Sequence, residues 1–197
     1  MKKIMMTLAA IAVAATMNAQ MYVGGGIGFS NNKSNNGNTT ATSFSINPEF
    51  GMALNDQLGW GVQLGFRTTK NENKVGNETV ESTTTRFSVK PYLRYQAFEV
   101  GKLNVFVDGG VNFGISSQKD MKPAMDLGLF VTPGIAYNVN DKWSIVAKLN
   151  DMFAFGYHKD AVADVDNAPE APTSINANLS TGGFNLGSLT FGVYYNF

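Results

Sequence analysis

Eight segments of the chain alternate between large apolar residues and small or polar residues, with a period of two. That is the period of a β-strand, whose successive side chains point to opposite faces. The segments cover residues 23–29, 44–54, 58–66, 87–95, 103–115, 127–137, 143–153 and 189–197. The pattern predicts an all-β protein. Asp151 is the one charge on the apolar face, which indicates that it lies past the apolar band or that its strand shifts register there.

The opposite face carries glycine and fixed charges, as the stretch YVGGGIGFS at residues 22–30 illustrates. A dinucleotide-binding loop would need a glycine where Phe29 stands and a helix after it, but a polar loop follows. We interpret Gly24, Gly26 and Gly28 as room in a narrow interior for longer side chains, such as Arg or Lys, from other strands. An apolar outside around a small and polar inside is typical of a membrane barrel.

The connections between the segments alternate in length. Those after the second, fourth and sixth segments are short, whereas the others are long and polar. The long connections are residues 31–40, 70–83, 117–124 and 157–182. Short periplasmic turns and long outer loops mark an outer-membrane barrel. We therefore predict an eight-stranded antiparallel up-and-down transmembrane β-barrel with both chain ends in the periplasm.

Aromatic residues sort to the two ends of this predicted barrel. The interfacial group on the periplasmic side includes Trp60, Tyr95, Tyr137 and Trp143. The outer group comprises Phe29, Phe44, Phe66, Phe87 and Phe113. Aromatic side chains favour membrane interfaces, so two such girdles support a membrane barrel. The soluble alternative, a lipocalin-type ligand-binding barrel, would need an apolar interior.

The N-terminus has the layout of a secretory signal peptide. Met1–Lys3 is basic, residues 4–16 are uncharged and apolar, and Ala19 is the small residue before the predicted cut. The apolar run is too short to span a bilayer as a helix. We predict a cleaved signal peptide at 1–19, a barrel domain at 20–197, and a cell outer membrane location.

Composition excludes several classes of function. The 197 residues include 15 basic and 15 acidic residues and no cysteine. Balanced charge argues against nucleic-acid binding. The lack of cysteine rules out disulfides, thiolate metal sites and thiol nucleophiles. We expect neither a cofactor nor a bound metal.

Six charged residues project into the predicted lumen and form the candidate site. They are Glu49, Arg67, Lys90, Arg94, Asp108 and Lys148. They suit a charge-compensated plug, a selectivity region of a narrow pore, or paired carboxylates for acid–base chemistry. The interior of an eight-stranded barrel is just wide enough for its own side chains, which favours the plug.

Two polar loop features offer weaker alternatives. His158 with Asp160 resembles part of the His/Ser/Asp set of some outer-membrane acyltransferases, but a polar loop residue is the simpler interpretation. The acidic loop around Asp164 contains Asp160, Asp166, Asn167 and Glu170, which would suit calcium or lipopolysaccharide bridging. It lacks the spacing of a calcium-binding loop, and a solvated acidic loop fits better.

Four phrases carry a family resemblance: INPEFGMAL (46–54), FSVKPYLRYQAF (87–98), VTPGIAYNV (131–139) and the terminal LTFGVYYNF. They resemble small outer-membrane β-barrels related to OmpX and the barrel domain of OmpA. The resemblance implies that Tyr195 and Phe197 form the signal read by the barrel-assembly machinery. It also implies that outer loops extend strands above the membrane and offer an edge to partners.

Proline stands in three of the predicted strands, at Pro48, Pro91 and Pro133. Proline cannot donate to the hydrogen-bond ladder, and a closed barrel has no free edge. Each proline therefore requires a bulge or a missing hydrogen bond.

The sequence as a whole predicts a non-enzymatic monomeric barrel that serves envelope integrity or surface interaction. A small or gated porin-like channel for ions or small solutes is the alternative. The expected partners are outer-membrane lipid and lipopolysaccharide, the assembly machinery, and an unidentified surface partner that the loops would bind.

Overall fold

The computed structural model describes residues 20–34, 39–75, 78–149, 152–164, 170–179 and 190–197. The predicted signal peptide and Asp151 lie outside the described residues. Within them the chain forms ten strands: β1 (Met21–Lys33), β2 (Thr39–Ala53), β3 (Leu58–Val75), β4 (Glu78–Val100), β5 (Leu103–Gln118), β6 (Ala124–Asn138), β7 (Trp143–Lys148), β8 (Phe153–Lys159), β9 (Thr173–Leu179) and β10 (Thr190–Asn196). No helix in these ranges has the length and apolar character needed to cross a membrane.

The strands close into an eight-stranded antiparallel barrel. Strands β1 to β6 pair in chain order, and β6 then pairs with β7 at one end and with β8 at the other. Strand β10 pairs with β7 and with β1, where Tyr22 lies opposite Asn196. Strands β7 and β8 are therefore two parts of the seventh barrel strand, and β10 and β9 are two parts of the eighth. The predicted fold class is confirmed.

The predicted loop 70–83 is largely strand, as the resemblance implied, and the predicted loop 157–182 contains a further strand, so in those parts the assignment to loop was wrong. Strand β3 ends at Val75 and β4 begins at Glu78, so both run through the predicted loop 70–83. Strand β9 lies within the predicted loop 157–182. The extensions are rich in Thr, Ser and Asn on both faces, so the apolar alternation disappears while the β-branched threonines still favour strand. Beyond the lipid, a strand needs no apolar face.

Each proline lies where a neighbouring ladder is interrupted. Between β2 and β3 the pairing skips Asn47 and Pro48, and between β4 and β5 it skips Lys90 and Pro91, with the register unchanged across both gaps. The bulge in the β4–β5 pairing comes later, between Gln96 and Phe98. Missing pairing, the second of the two predicted solutions, is therefore how the barrel accommodates these prolines.

Pro133 lies on β6 next to the break between β7 and β8. Gly134 pairs with Lys148, whereas Val131 pairs with Phe153, so the register of the seventh barrel strand shifts by two residues across the break. Asp151, for which a register shift was one of two predicted explanations, falls in this break and lies outside the described residues. A shift by an even number keeps the same side chains on the same face, because side chains alternate with a period of two.

The outward face is apolar and exposed. Ile27 and Phe29 are each 74% exposed, and Leu93 and Phe191 are each 61% exposed. Apolar side chains in such number on the outside of a water-soluble protein would form an unusually large exposed patch. In a bilayer the same face is solvated by lipid tails.

The glycines of β1 admit backbone and an aromatic ring, which corrects the expectation that Arg or Lys fills the space. A Cβ on Gly24 would lie 2.2 Å from the Val193 carbonyl oxygen and 2.4 Å from the Tyr194 ring. A Cβ on Gly26 would lie 2.6 Å from the Phe191 carbonyl oxygen. These glycines allow β10 to close tightly on β1.

Two periplasmic turns share one construction. The side-chain oxygen of Asn55 accepts hydrogen bonds from the backbone N–H groups of Gln57 (2.9 Å) and Leu58 (2.8 Å). The side-chain oxygen of Asn140 accepts them from Lys142 (2.9 Å) and Trp143 (2.9 Å). Asparagine at the start of a turn satisfies backbone groups that the ladder has released.

We predict that Asn55→Ala and Asn140→Ala each lower the free energy of unfolding by about 1 kcal/mol, because each removes the acceptor of two backbone hydrogen bonds. Urea unfolding in lipid vesicles measures the loss. Asn55→Asp keeps the acceptor and should stay within about 0.5 kcal/mol of the natural chain. An equal loss in Asn55→Asp would contradict this account of the turn.

Candidate functional site in the barrel lumen

Glu49 lies at the centre of the lumen and is 3% exposed. Lys148 Nζ approaches its Oε1 at 2.9 Å and its Oε2 at 2.8 Å, and Arg94 Nη2 lies 3.1 Å from Oε1. The hydroxyls of Tyr92 and Tyr194 also donate to Oε1. One carboxylate therefore receives donors from β4, β7 and β10. That arrangement offsets the desolvation cost of a buried charge.

Asp108 is the second buried acid of the site, at 1% exposed. Arg94 donates to it through Nε at 2.7 Å and through Nη2 at 2.8 Å, which is the bidentate geometry of a strong charge-assisted pair. Lys148 Nζ lies 3.0 Å from Asp108 Oδ2. Two acids and two bases thus form one neutral group, which we call the lumen cluster: Glu49, Arg94, Asp108 and Lys148.

Aromatic rings enclose the lumen cluster. The guanidinium carbon of Arg94 lies 3.8 Å from the centroid of the Phe106 ring and 5.0 Å from that of Tyr22. The Tyr22 ring stacks on Tyr194 with centroids 4.6 Å apart. These contacts fix the guanidinium by cation–π attraction and exclude water from its faces.

The two remaining predicted lumen residues lie apart from the cluster, toward the outer side. Lys90 Nζ lies over the Phe130 ring, 4.8 Å from its centroid. Arg67 is exposed and stands opposite Arg86 in the β3–β4 register. The structure therefore brings together four of the six predicted residues.

The aromatic residues that surround the lumen cluster were not singled out from the sequence. Tyr92 and Tyr194 alternate on the inner face with the charges, and Phe106 stands between Asn104 and Asp108 in that alternation. Strand parity would have placed Phe106 in the lumen. Parity gives no indication of which side chains meet across the barrel.

His158 lies at the outer rim between two carboxylates. Its Nδ1 is 2.6 Å from Asp126 Oδ1, and its Nε2 is 2.9 Å from Asp160 Oδ1. Arg86 Nη2 in turn lies 2.9 Å from Asp126 Oδ2. Carboxylates at both ring nitrogens suit a doubly protonated imidazole, which has no lone pair to act as a base.

The predicted acidic loop is described in part, because Asp166 and Asn167 lie outside the described residues. Among the residues that are described, no group of three or more His, Asp or Glu side chains is arranged to hold a metal ion.

A cavity of about 1140 Å³ occupies the periplasmic end of the barrel. Its inner end is formed by Tyr22, Arg94, Phe106 and Tyr194, the aromatic side of the lumen cluster. Amide side chains line its wall, and Asn196 Nδ2 donates to Ser144 Oγ at 2.9 Å. The lumen is therefore open from the periplasm as far as the cluster.

The predicted periplasmic aromatic residues lie on the outward face. Trp60, Tyr95, Tyr137 and Trp143 are between 38% and 48% exposed. Trp143 meets Tyr195 edge to face at 5.0 Å between centroids, and Tyr195 meets Phe197 at 5.1 Å. The terminal aromatic residues thus form a continuous outward row beside the β1–β10 closure.

Comparison with known proteins defines the class. The family model described as "Outer membrane protein beta-barrel domain" matches residues 4–197. The chain belongs to this family, which indicates an outer-membrane location and confirms the resemblance to small outer-membrane barrels. Among curated proteins, none matches the sequence significantly.

Solved structures share the fold. The outer membrane protein OprG from Pseudomonas aeruginosa is 14% identical over 91% of this chain and 96% of its own, with a TM-score of 0.56. A major outer membrane protein from Thermus thermophilus is 14% identical over 91% of this chain and 100% of its own, with a TM-score of 0.54. At this identity the likeness concerns the fold alone.

We predict that Lys148→Met lowers the free energy of unfolding by about 3–5 kcal/mol, because it leaves two buried carboxylates with a single cation. Urea unfolding in lipid vesicles measures the loss. Adding Asp108→Asn to Lys148→Met removes the excess negative charge. The double variant should therefore recover part of the lost free energy of unfolding. Lys142→Met, on an exposed periplasmic turn, is the matched control and should change stability by no more than about 0.5 kcal/mol. Equal losses at the two lysines would contradict the proposed role of Lys148.

Proposed function

We propose that this protein is a non-enzymatic outer-membrane barrel whose lumen is sealed by the lumen cluster and whose outer hairpins serve envelope integrity or surface interaction. The observation that carries the proposal is the contact of Lys148 with both Glu49 and Asp108 across the lumen, at 2.8 Å and 3.0 Å. An ion crossing at this depth would have to displace a side chain held by two buried carboxylates. The barrel acts as a closed, charge-paired span.

The outer hairpin of β3 and β4 supports a role at the cell surface. The hairpin continues beyond the Phe66–Phe87 pair. Its residues 78–83 also extend past the end of the pairing between β4 and β5, which is the Thr84–Gln118 pair. Glu72 and Glu81 stand directly opposite each other, and Lys70 bridges them at 3.0 Å and 2.9 Å. The hydrogen bonds to Glu81 and Glu72 raise the pKa of Lys70. The extension is an ordered polar surface that a partner can contact.

The geometry at His158 supports the absence of catalysis in this proposal. Both ring nitrogens contact carboxylates, whereas a general base for acyl transfer needs a free nitrogen beside a nucleophile. Ser174 stands opposite His158 in the β8–β9 register, but the ring is already engaged by Asp126 and Asp160.

The periplasmic cavity favours a second candidate, a gated channel for ions or small solutes. About 1140 Å³ of the lumen is already open on that side, so movement of the lumen cluster would be the remaining step. In this alternative, Lys148 and Arg94 exchange partners between Glu49 and Asp108 to open the path.

The proposal as a whole includes the remaining expectations from the sequence. The leader at 1–19 is removed on export, and Tyr195 and Phe197 are read by the assembly machinery. The mature barrel is a monomer that contacts outer-membrane lipid and lipopolysaccharide and needs no cofactor. Membership of the outer-membrane barrel family and the outward aromatic row support this part of the proposal.

Planar-bilayer recording distinguishes the two functions. We predict that the natural protein shows no steady conductance and that the double variant Glu49→Ala, Lys148→Ala shows discrete open levels, because it removes the contact that spans the lumen. The matched control, Asp56→Ala with Lys142→Ala, removes one acid and one base from periplasmic turns and should stay closed. Steady conductance of the natural protein, abolished by neutralising Lys90 or Arg94, would replace the sealed barrel with the channel.

A further inference from the structure

Four charged side chains form a continuous row across the outer mouth of the barrel. Arg86 on β4 contacts Asp126 on β6 at 2.9 Å, and Asp126 contacts Nδ1 of His158 on β8 at 2.6 Å. Nε2 of His158 contacts Asp160, just after β8, at 2.9 Å. We call these four residues the rim chain. The rim chain shares no residue with the lumen cluster.

Strand β5 lies between β4 and β6, and it leaves room for the rim chain to cross it. Gly114 stands opposite Ser88 on β4 and opposite Asp126 on β6. A Cβ on Gly114 would lie 3.0 Å from Arg86 Nη2 and 3.0 Å from Asp126 Oδ2. Any larger residue would crowd this ion pair, which the bare backbone of glycine allows.

The segment that follows β8, residues 160–164, packs against the outer turn between β5 and β6. The backbone N–H of Lys122 donates to the carbonyl oxygen of Val162 at 2.8 Å. Met121 and Ala163 form an isolated antiparallel bridge. The start of this segment is the end of the rim chain, so the imidazole ring fixes where the segment leaves the barrel.

The rim chain is electrically neutral only while the His158 ring carries both protons, because two cations then alternate with two carboxylates. A neutral imidazole has one N–H group and one lone pair. A lone pair that faces a carboxylate oxygen at hydrogen-bond distance is repelled. Asp126 also holds Arg86 and is less exposed than Asp160, at 18% against 51%. The remaining proton therefore stays on Nδ1, and the contact to Asp160 is lost.

The charged groups that face the His158 ring come from two elements. Asp126 faces it from β6 and Asp160 from the segment after β8, while Arg86 on β4 reaches it only through Asp126. On β9 the residue opposite the ring is Ser174, which does not titrate in this range. The protonation of the ring is thus set by the two carboxylates.

These carboxylates determine the pH at which the contact is lost. The exposed charge of Lys159 lies on the outward face at this level, which places the ring beyond the apolar band. The hydrogen bond with Asp126 raises the pKa of His158 above its ordinary value of about 6.5, and the contact with Asp160 adds to the effect. The contact is therefore complete below about pH 6.5 and is lost as the pH rises through the higher, folded-state pKa.

We propose that the rim chain is a pH-dependent latch at the outer mouth, which holds residues 160–164 against the barrel in acidic medium and releases them in alkaline medium. The His158 side chain is 35% exposed, so it exchanges protons with the medium outside the membrane. Release changes the polar surface that the outer mouth presents. This inference goes beyond the proposed function and holds whether or not the lumen cluster seals the barrel.

Magnetic resonance of the full chain in detergent micelles tests the proposal. The chain has one histidine and no cysteine, so nuclear magnetic resonance reports the midpoint of His158 alone and a single introduced cysteine can be labelled. A nitroxide on Ala163→Cys, at an exposed position, reports the motion of the segment. We expect a restricted label at about pH 5.5 and a mobile label at about pH 9, with a midpoint that coincides with that of His158 and lies above about 6.5.

Variants of Asp160 isolate the contact. Asp160→Ala removes it, so the label should be mobile over the whole pH range. Asp160→Asn should keep the label restricted over that range, because an amide accepts from the protonated ring and donates to the neutral ring. The matched control, Asp164→Ala, removes an exposed acid from the same segment and leaves the backbone hydrogen bond from Asp164 to Asp120 in place. It should behave like the natural chain.

Heat-modifiable gel migration verifies that each variant is folded before its label is measured. A His158 midpoint at or below about 6.5 would overturn the proposal. So would a label transition that persists in His158→Gln, or equal label mobility in Asp160→Ala and Asp164→Ala.

Discussion

The buried carboxylate of Glu49 is the constraint on which the arrangement of the lumen depends. A charge that is 3% exposed inside a barrel wall must be matched by donors in contact with it. Lys148 and Arg94 supply the charge, and the hydroxyls of Tyr92 and Tyr194 supply further hydrogen bonds. Together with Glu49 itself, these side chains come from four strands. Correct closure of the barrel is therefore a condition for satisfying Glu49, and Glu49 in turn ties the strands together.

The two halves of the lumen differ in how their charges are compensated. Around the lumen cluster, acids and bases balance within a few ångströms, and rings such as Phe106 cover the guanidinium group. Toward the outer mouth, Arg67 and Arg86 oppose each other and are more exposed. The division follows from depth, because desolvation is severe only where water is excluded.

Much of the fold could be predicted from the sequence because lipid imposes a simple rule on every residue of a membrane strand. The two-residue alternation identified the eight barrel strands and the inward charges, including Glu49 and Asp108. It failed at β9 and at the ends of β3 and β4, where the strands leave the membrane and the rule no longer applies. It also assigned the space beside Gly24 to basic side chains, whereas β10 and Tyr194 occupy it.

The sequence by itself determined the eight barrel strands and the face on which each charge lies, because these depend on local alternation. The tertiary structure alone decided that Lys148 reaches Glu49 and Asp108 while Arg67 stands opposite Arg86. Partners across a lumen depend on the stagger of all the strands around the closed wall. That stagger is a property of the closed barrel, and no single segment encodes it.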